Sequence, residues 1–481
     1  MKRNRSTLYM AAFLVSSMGY MRLQLHSSSF SPVNCRDSYI NNTISSDSQS
    51  SSHMLAAEPP LQYPQHSTII CQLDETDSDY DRRCHLENVC WDRRESTFVY
   101  FLDSTRPKVM PAVTLLNGKP RRISVQRKPG ENKDDSEFLP LVERAGPIPL
   151  TNATFTEDKV YVYFTSFWAE NFGHALVDDI HPLFALMHAF KMTTRDSVFL
   201  YPREIADNVG ERDRERASKL LHELGNLISD NGILRMDTHP NFSKVSPKDP
   251  GPHLVCMRHL LAGSGNLENL NKPPHVNTIG SWPSFIDALL TGWRKEYKEH
   301  KGRTGEPSPT PIQTQLLVFI RKVGRRGFLN LDMLVETSRD VFGVETIVIN
   351  PGEMTLAEQI SVAQRATVTF SPLGGISYFN AFLREGATAI VADFWHPFAE
   401  TSVTLDGYFW DRILSGHQTL RYTVKESEIV IEPPGNATLK TWWDYRDHGA
   451  TMLDLERAMR LIDHALYMTE HVFQIKTPIA E

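Results

Sequence analysis

The chain has 481 residues, of which 41% are hydrophobic and 23% are charged, and its formal net charge at pH 7 is -7. This length exceeds one typical domain, and the composition is that of a globular protein with a sizeable core. The negative net charge excludes a nucleic-acid-binding protein that depends on its overall field, so no nucleic acid is expected as a partner.

The first residues resemble a secretory leader. Basic residues among the first five precede an uncharged, fairly apolar run at 7–21, and its length of about 15 residues fits a signal-anchor or a cleaved signal peptide. A signal-anchor is favoured, and its positive flank predicts a short cytoplasmic tail and a lumenal body. We therefore expect a tail and membrane anchor at 1–22 in a single-pass type II protein, followed by a Ser-rich flexible stem at 23–70.

Two further features suit a protein of the secretory pathway. Glycosylation sequons of the form N-x-S/T occur at Asn41, Asn152, Asn241 and Asn436. The C-terminal tail carries no retrieval signal of the K-D-E-L type, which favours the Golgi over the endoplasmic reticulum.

The five cysteines contain no C-x-x-C pair, so disulfides are favoured over a zinc site. Cys84 and Cys90 could close a small loop, or either of them could pair with Cys71. The acidic segment 74–81 contains D-x-D tripeptides, but it precedes the first convincing core strand and is interpreted as a solvated edge. No metal site is therefore expected there.

Downstream of the stem, predicted strands alternate with predicted helices. The strands are 96–103, 160–164, 197–201, 253–257, 315–320, 345–350, 367–371 and 387–393, and the helices are 216–228, 284–300, 331–342, 355–366 and 374–383. This alternation predicts an α/β protein, with a parallel sheet in its second half. A Pro- and Gly-rich linker at 301–313 separates two Rossmann-like lobes, at 71–300 and 313–452, before a C-terminal helix and tail at 453–481.

Ligands of such folds bind in the cleft at the carboxyl ends of the strands. The loop after 315–320 is rich in cations and contains two glycines. Its cations are Arg321, Lys322, Arg325 and Arg326. Guanidinium groups bind phosphate oxygens in pairs, so this loop suits a diphosphate, although a solvated basic turn is the alternative.

The loop after 367–371 contains Gly374 and Gly375, which permit close backbone approach and precede a helix start with free N–H groups. This turn lies one βα unit beyond the cationic loop after 315–320, here called the Arg-rich loop. That position favours a diphosphate contact, rather than tight strand–helix packing, as the role of the two glycines. In contrast, Thr355 and Glu358 form a capping-box pattern, so Glu358 is interpreted as structural.

The stretch "NFGHALVDDIHP" (171–182) follows the predicted strand 160–164 and opens a helix. On a wheel of about 100° per residue, the apolar side chains form one stripe. That stripe contains Leu176, Val177, Ile180, Leu183, Phe184 and Met187. His174, Asp178, His181 and His188 fall on the opposite stripe, while Asp179 is turned away.

Three interpretations of that polar stripe are open. It could be a solvated face; His174 and Asp178 could be a general base and its orienting carboxylate; or His174, Asp178 and His181 could bind a divalent metal in a lumenal hydrolase.

Several stretches in order along the chain resemble the family 61 glycosyltransferases, which include xylosyl-, arabinosyl- and O-linked N-acetylglucosaminyltransferases. The matching stretches are "CHLENVCWDRRESTFVYF", "FWAENFGHALVDDIHPLF", "HLVCMRHLLAG", "FIRKVGRRGFLN", "EMTLAEQISVAQRATVTF" and "SPLGGISYFNAFLREGATAIVADFW". The resemblance covers about 71–395. It implies a GT-B-type fold of two lobes and an interdomain cleft, usually in a Golgi or endoplasmic reticulum lumen.

The resemblance also implies an activity. The expected reaction is inverting transfer of a pentosyl or N-acetylglucosaminyl group from a nucleotide diphosphate sugar, with a UDP-sugar favoured, to a glycan, polysaccharide or glycoprotein hydroxyl. No cofactor or metal is obligatory. The family's N-x-G-H-x-x-x-D element falls on Asn171, Gly173, His174 and Asp178, and its Arg-x-x-x-Arg loop falls on Arg321 and Arg325, with Asn330 following.

These assignments give each residue an expected role. Asp178 or His174 is the base, Asn171 and His181 lie on the acceptor side, and the donor is held by Arg321, Arg325, Asn330, Ser371, Gly374 and Gly375. One position departs from the family pattern, because Leu373 stands where many members have a histidine. A catalytically inactive, glycan-binding relative is therefore the alternative.

Overall fold

A computed structural model describes residues 66–72, 83–103, 142–164, 171–202, 211–263, 281–304, 315–403, 417–431, 441, 445–446 and 448–476. These all lie within one compact unit, Tyr63–Glu481. The expected anchor at 1–22, nearly all of the stem, the sequons at Asn41 and Asn436 and the linker 305–313 fall outside the described residues. Within the described part of the chain, no helix has the length and apolar character that a membrane span requires.

A nine-stranded sheet contains the described strands of the first half of the chain. Its strands are β1 (Thr68–Gln72), β2 (Arg83–Asp92), β3 (Thr97–Leu102), β4 (Val142–Ala145), β5 (Ala153–Phe155), β6 (Val160–Tyr163), β7 (Ser197–Tyr201), β8 (Ile233–Arg235) and β9 (Leu254–Gly263). Strands β6, β7, β8 and β9 run parallel, as a Rossmann-like sheet requires. The long strand β2 is antiparallel to β1, β3 and β9, so this sheet is mixed.

The disulfide pattern differs from the expected one. Cys90 on β2 is bonded to Cys256 on β9, which lies directly opposite it in the strand register. The small loop proposed between Cys84 and Cys90 is therefore wrong. Both residues lie on the extended strand β2, where a rise of about 3.3 Å per residue holds them too far apart for a disulfide. Cys84 is also disulfide-bonded, and it lies opposite Cys71 of β1.

The second sheet confirms the parallel βαβ prediction. Its strands are β10 (Leu316–Ile320), β11 (Glu345–Ile349), β12 (Val368–Pro372), β13 (Thr388–Ala392) and β16 (Gln418–Tyr422). They lie in the order β11-β10-β12-β13-β16, and every pair is parallel. Two short antiparallel ribbons accompany it, β14 (Phe394–His396) with β15 (Thr401–Val403) and β17 (Ile429–Ile431) with β18 (Gly449–Thr451).

Helices cover both sheets. The helix 172–189, here called α1, is followed by α2 (Glu211–Ile228), α3 (Trp282–Thr304), α4 (Leu331–Phe342), α5 (Leu356–Arg365) and α6 (Leu455–Lys476). Short 3-10 helices occupy Leu150–Asn152, Pro351–Glu353, Gly375–Phe382 and Glu426–Glu428. One core cluster joins the two halves, because it contains Val162 of β6, Leu183 of α1 and Val318 of β10. The division into two lobes with a cleft stays a prediction.

The helix α1 is not a regular α-helix. It consists of an α-helical turn at Phe172–His174, a π-helical segment at Ala175–Ile180 and an α-helix at His181–Ala189. The apolar stripe expected from the wheel is buried, as predicted. However, Asp179 and His181 are also fully buried. The prediction that His181 lies on a polar face is therefore wrong, because π-helical turns contain more residues than the wheel assumes.

Local signals correctly located two helices of the second half. Thr355 Oγ1 accepts a hydrogen bond from the Glu358 N–H at 3.3 Å, and Glu358 Oε2 accepts one from the Thr355 N–H at 2.8 Å. This capping box confirms the structural interpretation of Glu358. The hydrogen bond from the Thr355 N–H lowers the pKa of the Glu358 carboxyl. The helix α4 ends at Gly343, whose φ of 62° lies in the left-handed region.

Both sequons that the structure describes are accessible. Asn152 lies at the end of the 3-10 helix Leu150–Asn152, and Asn241 lies in a turn between β8 and β9. Both residues are exposed, which is compatible with their modification.

Candidate functional site

The helix α1 begins at Asn171, the first residue of the "NFGH" motif. Asn171 has extended backbone torsions, and its Oδ1 accepts a hydrogen bond from the Gly173 N–H at 3.0 Å. Asparagine is a preferred N-cap residue because its side chain satisfies an N–H group that has no partner within the helix. Asn171 thereby fixes the first residue of α1, and with it the positions of His174 and the following π-helical segment.

The start of α1 lies directly against the glycine turn, by which we mean Leu373, Gly374 and Gly375. A Cβ atom added to Gly375 would lie 1.9 Å from Asn171 Oδ1, and one added to Gly173 would lie 2.7 Å from the Tyr378 ring. Neither position has space for a side chain. Both glycines are therefore required for close approach between two motifs that the sequence could only mark separately.

On its other side, the glycine turn lies against Arg326. Gly374 has a φ of 111°, and a Cβ atom added to it would lie 2.9 Å from Arg326 Nη1. The Arg326 residue is 7% exposed, and its N–H donates to the Gly449 carbonyl oxygen at 2.6 Å. This places a guanidinium group beside the backbone that precedes the helix start at Gly375. The family pattern assigns the donor to Arg321 and Arg325, whereas Arg326 is marked in the sequence only as one of the cations of this loop.

The other cations of this loop occupy different positions. Arg321 pairs with the Asp332 carboxylate at the start of α4. Lys322 Nζ donates a hydrogen bond to the Leu373 carbonyl oxygen at 3.3 Å, and Arg325 is exposed. The Arg-rich loop and the glycine turn therefore meet at neighbouring ends of β10 and β12, as predicted from the parallel sheet.

Two of the predicted donor residues have structural partners. Asn330 forms hydrogen bonds with the Leu453 backbone, donating from Nδ2 to the carbonyl oxygen at 2.8 Å and accepting at Oδ1 from the N–H at 2.9 Å. Ser371 is fully buried, and its Oγ accepts a hydrogen bond from Asn380 Nδ2 at 3.2 Å. A donor contact by either residue stays a prediction.

The predicted catalytic residues lie at the start of α1. His174 is half-buried and ends the first helical turn. The backbone of Asp178 lies in the π-helical segment, whereas its side chain is not among the parts that the structure describes. Short π-helical segments occur frequently at functional sites, because they re-aim side chains without breaking the helix.

His181 has core contacts. Its Nε2 lies 3.1 Å from Ser281 Oγ, and its ring centroid lies 4.8 Å from that of Trp282 in an edge-on arrangement. Because His181 is fully buried, the structure gives no support to the acceptor contact expected for it, nor to a metal site on one exposed face of α1.

The residue that departs from the family pattern also has a structural explanation. Leu373 is 1% exposed and packs in an apolar cluster with Val391 and Phe394. Its carbonyl oxygen, rather than its side chain, accepts the hydrogen bond from Lys322. A leucine at this position therefore adds to the core behind the glycine turn and leaves the turn's contact with Arg326 in place.

Comparison with known proteins agrees with this grouping of motifs. The family model described as Glycosyltransferase 61 matches residues 172–391, a segment that contains α1, the Arg-rich loop and the glycine turn. This match supports the assignment of the segment to glycosyltransferase family 61. No curated protein matches the chain significantly.

One similar solved structure is the crystal structure of the glycosyl transferase family 9 from Veillonella parvula DSM 2008. It is 12% identical, the match covers 65% of this chain and 97% of that chain, and the TM-score is 0.27. At so low a TM-score, the description of the fold rests on the sheets themselves. The family match supports a glycosyltransferase activity for this protein.

Arg326 supplies the first testable consequence of this site. The variant Arg326→Ala is expected to raise the KM for the donor roughly 10- to 100-fold, because a charge-assisted hydrogen bond contributes about 1.5–3 kcal/mol. Initial rates at varied donor concentration measure the effect. Arg365→Ala is the matched control, since Arg365 forms a surface ion pair with Glu345. An unchanged donor KM in the Arg326 variant would rule out this contact.

Proposed function

We propose that this protein is an inverting glycosyltransferase of the secretory pathway. It transfers a pentosyl or N-acetylglucosaminyl group from a nucleotide diphosphate sugar, with a UDP-sugar favoured, to a glycan, polysaccharide or protein hydroxyl. The observation that carries the proposal is the contact between the start of α1 and the glycine turn. This contact supports a site in which a base on α1 acts beside diphosphate-binding elements of the second sheet.

The reaction has two chemical requirements. A base on α1, His174 or Asp178, takes the proton from the acceptor hydroxyl while that oxygen attacks the anomeric carbon from the face opposite the diphosphate. The bond between the anomeric carbon and the diphosphate oxygen then breaks with inversion, and the nucleoside diphosphate leaves with the electron pair.

The leaving diphosphate requires stabilisation of its negative charge. We assign this role to the cations of the Arg-rich loop, namely Arg321, Arg325 and Arg326, and to the N–H groups at the start of the helix Gly375–Phe382. The donor contacts predicted for Asn330 and Ser371 and the acceptor contact predicted for Asn171 belong to the same proposal. No metal ion or other cofactor is required in this mechanism.

The cellular compartment that we propose for the enzyme rests on features of the sequence alone. The apolar run at 7–21 and the sequons support a lumenal enzyme with an N-terminal anchor, and we propose the Golgi membrane as its location.

A binding screen tests the proposed donor. UDP-sugars and GDP-sugars are added to the purified protein, and the thermal midpoint is measured. A ligand at about 100 times its Kd is expected to stabilise the folded state by about 2.7 kcal/mol, which raises the midpoint. The control variant is Lys248→Ala, which removes an exposed lysine outside the Arg-rich loop. Its thermal midpoint is expected to rise with the ligand as much as that of the wild type. Stabilisation without turnover would favour the inactive relative, and the absence of any shift with all donors would contradict the proposal.

A further inference from the structure

Three side chains of metal-binding type meet on the nine-stranded sheet, far along the chain from the glycine turn. His85 and Glu87 lie two residues apart on β2, so their side chains project from the same face of the strand. His259 of β9 lies directly opposite Glu87 in the antiparallel register. Cross-strand neighbours in such a pair are close enough for their side chains to meet.

The distances within this trio suit a metal ion. His85 Nε2 and His259 Nδ1 are 3.1 Å apart, and the candidate ligand atoms of all three residues lie within 4.8 Å of one another. Two imidazole nitrogens bound to one tetrahedral Zn²⁺ at 2.0–2.1 Å are separated by about 3.3 Å. The two histidines therefore already have nearly the required spacing, and a torsional change of the Glu87 side chain suffices to bring its carboxylate to the ion.

Side chains of neighbouring elements lie close to each of the three residues. The Thr68 hydroxyl of β1 donates to Glu87 Oε2 at 2.5 Å, and the Phe190 ring centroid lies 5.9 Å from that of His85. Asp158 Oδ1 lies 3.8 Å from His259 Nε2, on the opposite side of the ring from the trio. A carboxylate behind an imidazole is a common arrangement in zinc sites, because it orients the ring and strengthens the ligand.

The three residues differ in their burial. His85 is 6% exposed, whereas Glu87 and His259 are partly exposed. One side of the trio therefore faces solvent and leaves room for a fourth ligand.

We propose that His85, Glu87 and His259 form a binding site for one divalent transition-metal ion of the Zn²⁺ type. Two neutral imidazoles and one carboxylate supply three ligands, and water completes a tetrahedral coordination sphere. Among the described residues, this is the one group of three histidine, cysteine or acidic side chains close enough to share an ion.

The location of the site indicates its role. His259 aligns with Val160 at the start of β6, whereas the predicted base follows the opposite, carboxyl end of that strand. The ion therefore links β2 to β9 at a distance from the proposed reaction centre, and Cys90 and Cys256 link the same two strands further along. This role is structural and independent of the transferase proposal.

The test uses the full chain after removal of metal with EDTA. Isothermal titration with ZnCl₂ is expected to give one ion per chain for the wild type, together with a rise in the thermal midpoint. The variant His259→Gln is expected to lose more than about 100-fold in Zn²⁺ affinity, and Asp158→Asn about 10- to 100-fold. Titration with Co²⁺ provides a second readout, because a four-coordinate Co²⁺ ion has a characteristic visible absorption.

Two controls separate metal binding from folding defects. His464→Gln removes an exposed histidine of α6 and is expected to bind Zn²⁺ as the wild type does. His259→Gln is expected to remain folded in EDTA, and its thermal midpoint is expected to be the same with and without ZnCl₂. Absence of one-to-one binding by the wild type, or equal affinity in His259→Gln, would overturn the proposal. Neither result would affect the transferase proposal, which involves none of these residues.

Discussion

Replacement of both candidate bases, His174→Ala with Asp178→Asn, is expected to reduce kcat by about 10²- to 10⁴-fold, the usual contribution of a general base. The physical reason is that the acceptor hydroxyl must lose its proton as it attacks the anomeric carbon. The KM for the donor is expected to change little, because the proposed diphosphate contacts lie on the Arg-rich loop and the glycine turn.

The two single variants then identify the base. If one single variant loses as much kcat as the double variant, its residue is the one that takes the proton. The other single variant is then expected to lose less, because it removes only an orienting partner. His188→Ala is the matched control, because His188 is an exposed histidine near the C-terminal end of the same helix. Full transfer activity in the double variant would contradict the assignment of the base to α1.

Replacement of Gly375 by alanine is expected to be the most damaging single change at the contact between the motifs. The new Cβ atom would lie 1.9 Å from Asn171 Oδ1, so the side chain that caps α1 must move. Overpacking destabilises a protein by about 1–3 kcal/mol, and the loss of an N-cap by about 0.5–2 kcal/mol. A displacement of about 1 Å in a catalytic group can in addition cost roughly 100-fold in rate. Urea unfolding and kcat/KM measure the two effects.

A double-mutant cycle tests the mechanism of this effect. In Gly375→Ala with Asn171→Ala, the atoms that would clash with the new methyl group are absent. The two substitutions together are therefore expected to destabilise the protein by less than the sum of the single effects. Gly251→Ala is the matched control, because a Cβ atom at Gly251 meets nothing within 4 Å and the backbone there is not in the left-handed region. Simple additivity in the cycle would contradict direct contact between Asn171 and Gly375.

Most elements of the second sheet could be predicted from sequence, since their signals are local. The bounds of α4, Leu331–Phe342, coincide with the predicted helix, and the capping box at Thr355 correctly located the start of α5. Strands β10 and β12 were recognised as short runs of β-branched and large apolar residues between helices. The predicted helix 374–383 is instead a 3-10 helix, Gly375–Phe382, which differs in its hydrogen bonding but lies at the expected place.

The candidate site could be predicted only in part. Its motifs were recognised, and the meeting of the Arg-rich loop with the glycine turn followed from the order of parallel strands. The burial of each side chain could not be predicted, because it depends on packing partners that are distant in sequence. His181 has the sequence context of a polar helix face, yet Ser281 and Trp282 enclose it.

The sequence by itself determined the α/β class, the parallel direction of the second sheet and the resemblance to family 61, because periodicity, caps and motifs are properties of neighbouring residues. Only the tertiary structure decided that Cys90 pairs with Cys256, that α1 contains a π-helical segment, and that Arg326 lies beside Gly374. Each of these depends on which surfaces pack together, and the free energy of close packing belongs to pairs of segments rather than to either segment alone.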